Sequence, residues 1–224
     1  DVVDRVIVLG LMGSGLFGAG MRAVQEREAN ILRRYKVAPI TPLPLLIASV
    51  ITGWVIFIPA AVLFTMIAHY RYAMPLPAHL GAYFGLITLG MFCFRAIGLI
   101  IASVVNSMQE SNIMIQLFYM PMLFLSGTTV PVEMLPKWGK VLSKFLPASY
   151  LVTGFRRILE NGETLLQNWG SALALLIALI TALFVATQLF RWEKEEKIQG
   201  TAKLWVLVAL LPFIVLGCYQ IFKG

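Results

Sequence analysis

Side chains able to do chemistry are few in these 224 residues, and they are clumped. The densest clump is QEREANILRRYKVAPITPLP, Gln25 to Pro44, with Glu26, Arg27, Glu28, Arg33, Arg34 and Lys36 within it. Such a patch is either a topology anchor or a handle for a partner. Hydrolysis of ATP would need G-x-x-x-x-G-K-[ST], whose backbone N–H groups wrap the phosphates while the lysine reaches them. Gly139–Lys140 lacks both the upstream glycine and the following Ser or Thr, so no ATPase site and no catalytic residue is expected in this chain. His69 and His79 share a loop with no carboxylate and no nearby cysteine, so no metal site is expected there. HExxH and GxSxG are absent, and the uncharged runs hold none of the acidic groups that an intramembrane protease or proton-driven carrier uses.

The elements that must position these groups follow from composition. The chain is 59% hydrophobic and 13% charged, with mean hydropathy +0.82. A hydrocarbon core about 30 Å thick takes roughly 20 apolar helical residues. Leu43–Ile67, Ser111–Val132, Trp169–Phe190 and Leu204–Phe222 reach that length without a charge. Leu80–Val105 is interrupted only by Arg95, and Val6–Met21 suffices if it borrows Val24. Backbone groups in lipid must be satisfied internally, and these runs are too long for barrel strands. The expected fold is all-α: a polytopic transmembrane helical bundle. Cys93 and Cys218 fall inside apolar runs and act as small hydrophobes. The net charge of +7 points to a membrane surface rather than to nucleic acid, since no basic domain stands apart from the spans. The opening DVVDR, without methionine, reads as a fragment or a processed piece.

Loop lysines and arginines set orientation. Alternating loops carry nine basic residues on the side of Arg33–Arg34 and six on the other. The Arg33–Arg34 loop is therefore expected in the cytoplasm. Five of the six opposing charges lie in the long connection Gly127–Asn168. There Trp138, Val141, Leu142, Phe145 and Leu146 recur at helical spacing from Pro136, opposite Lys137, Lys140 and Lys144, and Pro147 suits a stop. A second segment puts Leu151, Val152, Phe155, Ile158 and Leu159 on one side and Arg156, Arg157 and Glu160 on the other. Basic amphipathic helices of this kind lie in the interface. They either seal the bundle or form a lid over a pathway.

Arg95 lies roughly 15 Å from the inner end of its run, where a charge costs at least about 2.5–3.5 kcal/mol. It either lines a substrate cavity that favours anionic head groups or reaches interface carbonyls. Gly10, Ser14 and Gly18, with Gly15 and Ala19 beside them, form a small-residue face for close helix contact, within one subunit or across a dimer. Glu193, Glu195 and Glu196 alternate with Arg191, Lys194 and Lys197 as a solvated helix end.

Taken in order, an apolar span, the ERE-containing loop, three spans, FLSGTTVPVEMLPKWGKVLSKFLPASYL and a last span ending in FRWEKEE resemble a known family. The likeness is to the membrane subunit of type-two ATP-binding-cassette (ABC) export permeases, over Val6 to Lys197. Its most specific part is Phe124–Tyr150, with Ser126, Gly127, Pro131, Pro136, Trp138, Pro147 and Tyr150 in the outer motif. The resemblance implies six membrane helices per half, the later five visible here. It makes residues 1–198 the transmembrane domain, with a coupling loop at 22–42 and interfacial or re-entrant helices at 131–160. It also implies that Glu26, Arg27, Glu28, Arg33, Arg34 and Tyr35 meet a separate nucleotide-binding subunit, which holds ATP and magnesium; this chain binds no cofactor itself. A second permease half, identical or not, would complete the pathway in the inner membrane of a prokaryote. The exported substrate would be drug-like, lipid or otherwise amphipathic. Residues 199–224 depart from the pattern as an extra hydrophobic helix. A secondary transporter or channel, and a non-transporting scaffold subunit, remain the alternatives.

Overall fold

The computed structural model describes residues 2–36, 41–193, 211 and 213–218. Among them there is no strand. Helix α1 (Val2–Glu28) is followed by a short α2 (Ile31–Lys36), then α3 (Pro42–Tyr72), α4 (Leu80–Val104) and α5 (Met108–Leu125). A single 3-10 turn (Val132–Met134) leads to α6 (Lys137–Ser143), α7 (Pro147–Glu160) and α8 (Trp169–Leu189). Among the described residues four segments are long and apolar enough to cross a membrane: Arg5–Glu28, Pro42–Tyr72, Leu80–Val104 and Trp169–Leu189.

The boundaries differ from expectation in physically instructive ways. The first span does not stop at Met21; α1 continues through Glu28, so the ERE segment is helix rather than loop. The helix breaks where Asn30 turns left-handed at φ 56°, a conformation that asparagine tolerates better than most residues. Pro42, in the first turn of α3, needs no N–H there and restarts the chain. The apolar run expected over Ser111–Val132 becomes α5, which begins earlier, at Met108, and ends at Leu125. Gly127 then adopts φ 89°, open to glycine at little cost.

Helix α4 occupies the centre and is buried on most of its surface. It meets α1 at a glycine crossing. A Cβ at Gly15 would lie 2.6 Å from Phe94 Cβ, one at Gly98 would lie 2.7 Å from the Leu16 carbonyl oxygen, and one at Gly20 would lie 3.0 Å from the Gly98 oxygen. Backbones this close gain dispersion contact that larger residues would prevent. The small-residue face therefore divides: Gly15 packs on α4 and Ala19 is buried, while Gly10 and Gly18 are exposed.

Helix α7 buries the apolar side read from its sequence, with Leu151, Phe155 and Ile158 inside and Arg156, Arg157 and Glu160 outside. Its partners show more than interfacial placement. Phe155 stacks edge-on with Tyr83 at 5.5 Å between centroids. Gly154 lies against Leu86, and Leu151 against Gly90. As α7 runs backward from Phe155 to Leu151, α4 runs forward from Tyr83 to Gly90. The two helices are antiparallel, and α7 reaches roughly 15 Å along α4 from its start. It packs against α1, α4 and α8, and α4 itself meets both α1 and α8. Pro147, expected as a stop for the preceding helix, is the first residue of α7.

Of the C-terminal segment, residues 194–210, 212 and 219–224 lie outside the described residues, and with them Lys194, Glu195, Glu196 and Lys197. Phe213 joins the hydrophobic core, and Gly217 sits against the Phe145 ring.

Candidate functional site

At the end of the bundle where α1 meets α2, each member of the ERE triplet has a different partner. Glu26 is half-buried and accepts a hydrogen bond from Arg22 Nε at 2.9 Å, one helical turn back. Arg27 is buried; it donates to the Ala102 carbonyl at 2.9 Å and to that of Val105 at 2.5 Å. Glu28 accepts from the Met108 amide at 3.3 Å.

The pairing follows from helix electrostatics. The last carbonyls of a helix and the first amides of the next have no intrahelical partner, and they carry partial negative and positive charge. Ala102 and Val105 stand at the exit of α4, and Met108 begins α5. Arg27 and Glu28 thus match charge to charge across the α4–α5 turn. Arg191 joins them, donating through Nε to Ser103 O at 2.9 Å, through Nη1 to Asn106 Oδ1 at 2.9 Å, and through Nη2 to Val105 O. The α5 amides are further satisfied by Ser107, whose hydroxyl accepts from the Glu110 amide at 3.2 Å, while Glu110 accepts from the Asn106 amide at 2.7 Å. One knot therefore binds α1, α4, α5 and the chain leaving α8.

Beside this knot lies a pocket of about 200 Å³ between α1, α2 and α3. Arg22, Glu26, Tyr35, Ser49, Thr52 and Arg95 are among its walls. Arg95 is 4% exposed, reaching across from α4 to donate through Nε to Ser49 O at 3.0 Å and, through Nη2, to Ser49 Oγ at 3.4 Å. Gly53 and Gly18 form its slot; a Cβ at Gly53 would stand 2.0 Å from Nη1, and one at Gly18 3.1 Å. Arg95 thus bonds a backbone carbonyl of α3 and lines the pocket.

The remaining coupling candidates sit nearby. Arg34 and Tyr35 are exposed on α2, and Leu32 beneath them anchors that helix. Arg33 belongs to α2; its side chain lies outside the described set. Burial turns Arg27 away from any partner's reach, contrary to its expected place on a docking face. Arg191, expected on a solvated helix end, follows the end of α8 at Leu189 and is buried.

The outer motif is a separate place. Ser126 is buried and shares a 2.6 Å hydrogen bond with Thr128, Pro131 opens the 3-10 turn, and Pro136 precedes α6. Trp138 is 63% exposed, Pro147 is buried, and Tyr150 donates to Lys144 O at 2.8 Å. These residues position α6 and α7. Among the described residues no three ligating side chains come together as a metal site.

The sequence matches the family described as ABC-2 family transporter protein over residues 3–187. The chain belongs to the ABC-2 transporter family. Its relatives include the probable multidrug ABC transporter permease YbhR of Escherichia coli K12, 25% identical over 85% of this chain and 51% of that protein. The inner membrane transport permease YhhJ of the same organism is 23% identical over 78% of this chain and 46% of its own length. ABC transporter G family member 20 of Dictyostelium discoideum is 28% identical over 60% of this chain and 18% of that protein. The ABC-2 chain spans about half the length of the two bacterial relatives. No solved structure matches it. It is a multi-pass membrane protein of the ABC transporter permease type.

Proposed function

We propose that this ABC-2 chain is the membrane half of an ATP-driven exporter, with α2 and the adjoining end of α1 as the dock for a nucleotide-binding subunit. The observation that carries this reading is the family match over residues 3–187, joined to a short helix whose Arg34 and Tyr35 are exposed and which follows the end of α1 that is knotted into α4 and α5. A push on α2 would reach α1 through the Asn30 turn. From there Arg27 and Glu28 would pass it to both sides of the α4–α5 turn, because rigid, hydrogen-bonded elements move as units. In this reading that end of the bundle is cytoplasmic, in a prokaryotic inner membrane. ATP and magnesium stay on the partner, a second permease half completes the pathway, and the cargo is an amphipathic molecule.

The test is charge reversal at the exposed face. In vesicles holding the permease and its ATPase partner, Arg34→Glu should cut substrate-stimulated ATP hydrolysis by about tenfold or more while insertion is unchanged. Charge reversal at half-buried Glu26 should have the same effect. Stimulation that survives both changes, or accessibility labelling that puts Arg34 outside the cell, would reject the reading.

A further inference from the structure

The pocket at the α2 end has a charge imbalance that its own walls do not resolve. Two guanidinium groups, Arg22 and Arg95, face one carboxylate, Glu26, and that carboxylate is held by Arg22 at 2.9 Å. Arg95 is 4% exposed, and among the described residues no carboxylate lies within ion-pair distance of it. Its Nε and Nη2 are engaged by Ser49 alone; Nη1 lies between Gly18 and Gly53, and no hydrogen-bond partner for it is found among the described residues. A buried cation without a counter-charge is costly, and an anion delivered to it recovers strong charge-assisted bonds.

Size and surroundings narrow the class. A volume of about 200 Å³ is below the roughly 300–1,000 Å³ of a site enclosing a drug-sized molecule. It is suited to a head group whose tails lie elsewhere. Ala48 and Thr52, in the α3 wall, adjoin an exposed apolar stripe of Ile47, Ile51 and Val55, which offers acyl chains a surface. Ser49 and Thr52 add hydroxyls beside the guanidinium.

We infer that this pocket binds the monoanionic phosphodiester head group of a membrane lipid, with Arg95 as its principal ligand. One added negative charge neutralises the set formed by Arg22, Glu26 and Arg95. Gly18 and Gly53 are part of the site because a side chain at either would push the guanidinium out of its slot. The inference concerns binding and stands whether or not the bundle transports.

The test compares lipids retained by the full chain. The protein is reconstituted into nanodiscs of phosphatidylcholine doped with phosphatidylglycerol, and the lipids that stay bound are counted by native mass spectrometry. The wild type should favour phosphatidylglycerol by about tenfold, the scale of one charge-assisted contact. Arg95→Gln should abolish the preference and Arg95→Lys should keep much of it. Gly53→Ala should weaken it with every charge still present, which covers the case in which Arg95→Gln fails to fold. Arg71→Gln, at an exposed arginine late in α3, should change nothing. A preference unaltered in Arg95→Gln and Gly53→Ala overturns the site. In pure phosphatidylcholine discs, inorganic phosphate that bound in an Arg95-dependent way would overturn the lipid as occupant and assign the pocket to a free anion. Absence of any preference in the wild type overturns the inference altogether.

Discussion

Arg27 and Arg191 at one end of the bundle are withdrawn from solvent and donate to the carbonyls of Ala102, Ser103 and Val105. Arg156, on α7, stands in water between Glu133 at 3.2 Å and Glu160 at 2.9 Å. The residue type is the same and its physical role is opposite. A buried guanidinium satisfying helix-end carbonyls has no water to replace it, so the interaction is felt in full when it is lost. An exposed ion pair competes with water and salt, and its two long side chains lose entropy in holding one geometry. The lesson is that charge counting misjudges both ends. The knot at the end of α1, built on side-chain bonds to backbone groups, should dominate stability, while the paired arginine on α7 should hardly matter.

Removing the knot should break this contrast most plainly. Arg27→Ala leaves the Ala102 oxygen without its side-chain donor, and a lost hydrogen bond to a charged group costs about 1.5–3 kcal/mol. Arg191→Ala removes donors from Ser103, Val105 and Asn106 and should cost at least as much. The two guanidinium groups share the Val105 carbonyl, so their effects should not add. Thermal melts of both single variants and the double variant in detergent would check this; a loss below about 0.5 kcal/mol in both singles, the ordinary range for surface changes, would remove the knot from the account.

A smaller change sharpens the same comparison. Glu28→Gln keeps an acceptor for the Met108 amide but drops the charge beside the first turn of α5, so it should cost about 0.3–1 kcal/mol. Since Glu28 is half-buried, added salt should recover little of that loss. A melt that shows no loss at low salt would separate Glu28 from the α5 amides.

These expectations show what the sequence could and could not disclose. The spans at α3, α4 and α8 are legible because long apolar runs, broken in α4 by Arg95 alone, have one solution in lipid. The Arg22–Glu26 pair is legible because four residues make one helical turn. The capping pattern of Ser107 with Glu110 also carries a local signature. Arg27 and Arg191 are different, because their partners lie 75 to 88 residues away and are carbonyls, which every residue has. No side-chain pattern marks them. The same holds for α7: its apolar face is evident, but periodicity does not say whether that face meets lipid or, as here, the Tyr83–Gly90 face of α4. Among the glycines, the face read from spacing includes Gly15, whereas the α1–α4 crossing also depends on Gly20 and on Gly98, which is distant in sequence.

The smallest expected effect lies at Glu133, and its sign follows from what surrounds it. Its carboxyl is held below the usual range first by its own backbone N–H and then by the Arg156 guanidinium. A carboxyl depressed in the folded state contributes stability above its unfolded value, near 4.5, and loses that contribution as pH falls through the lower folded value. Because the group is exposed, the contribution should be slight. Glu133→Gln should leave the melting temperature at neutral pH essentially unchanged and should flatten a small decline in the acid range. High salt should shrink that decline in the unaltered protein, since exposed charges are screened. If instead Glu133→Gln lowered the melt at pH 7 as much as Arg27→Ala does, the contrast between the two ends would fail, and the α7 ion pairs would have to be counted as part of the framework.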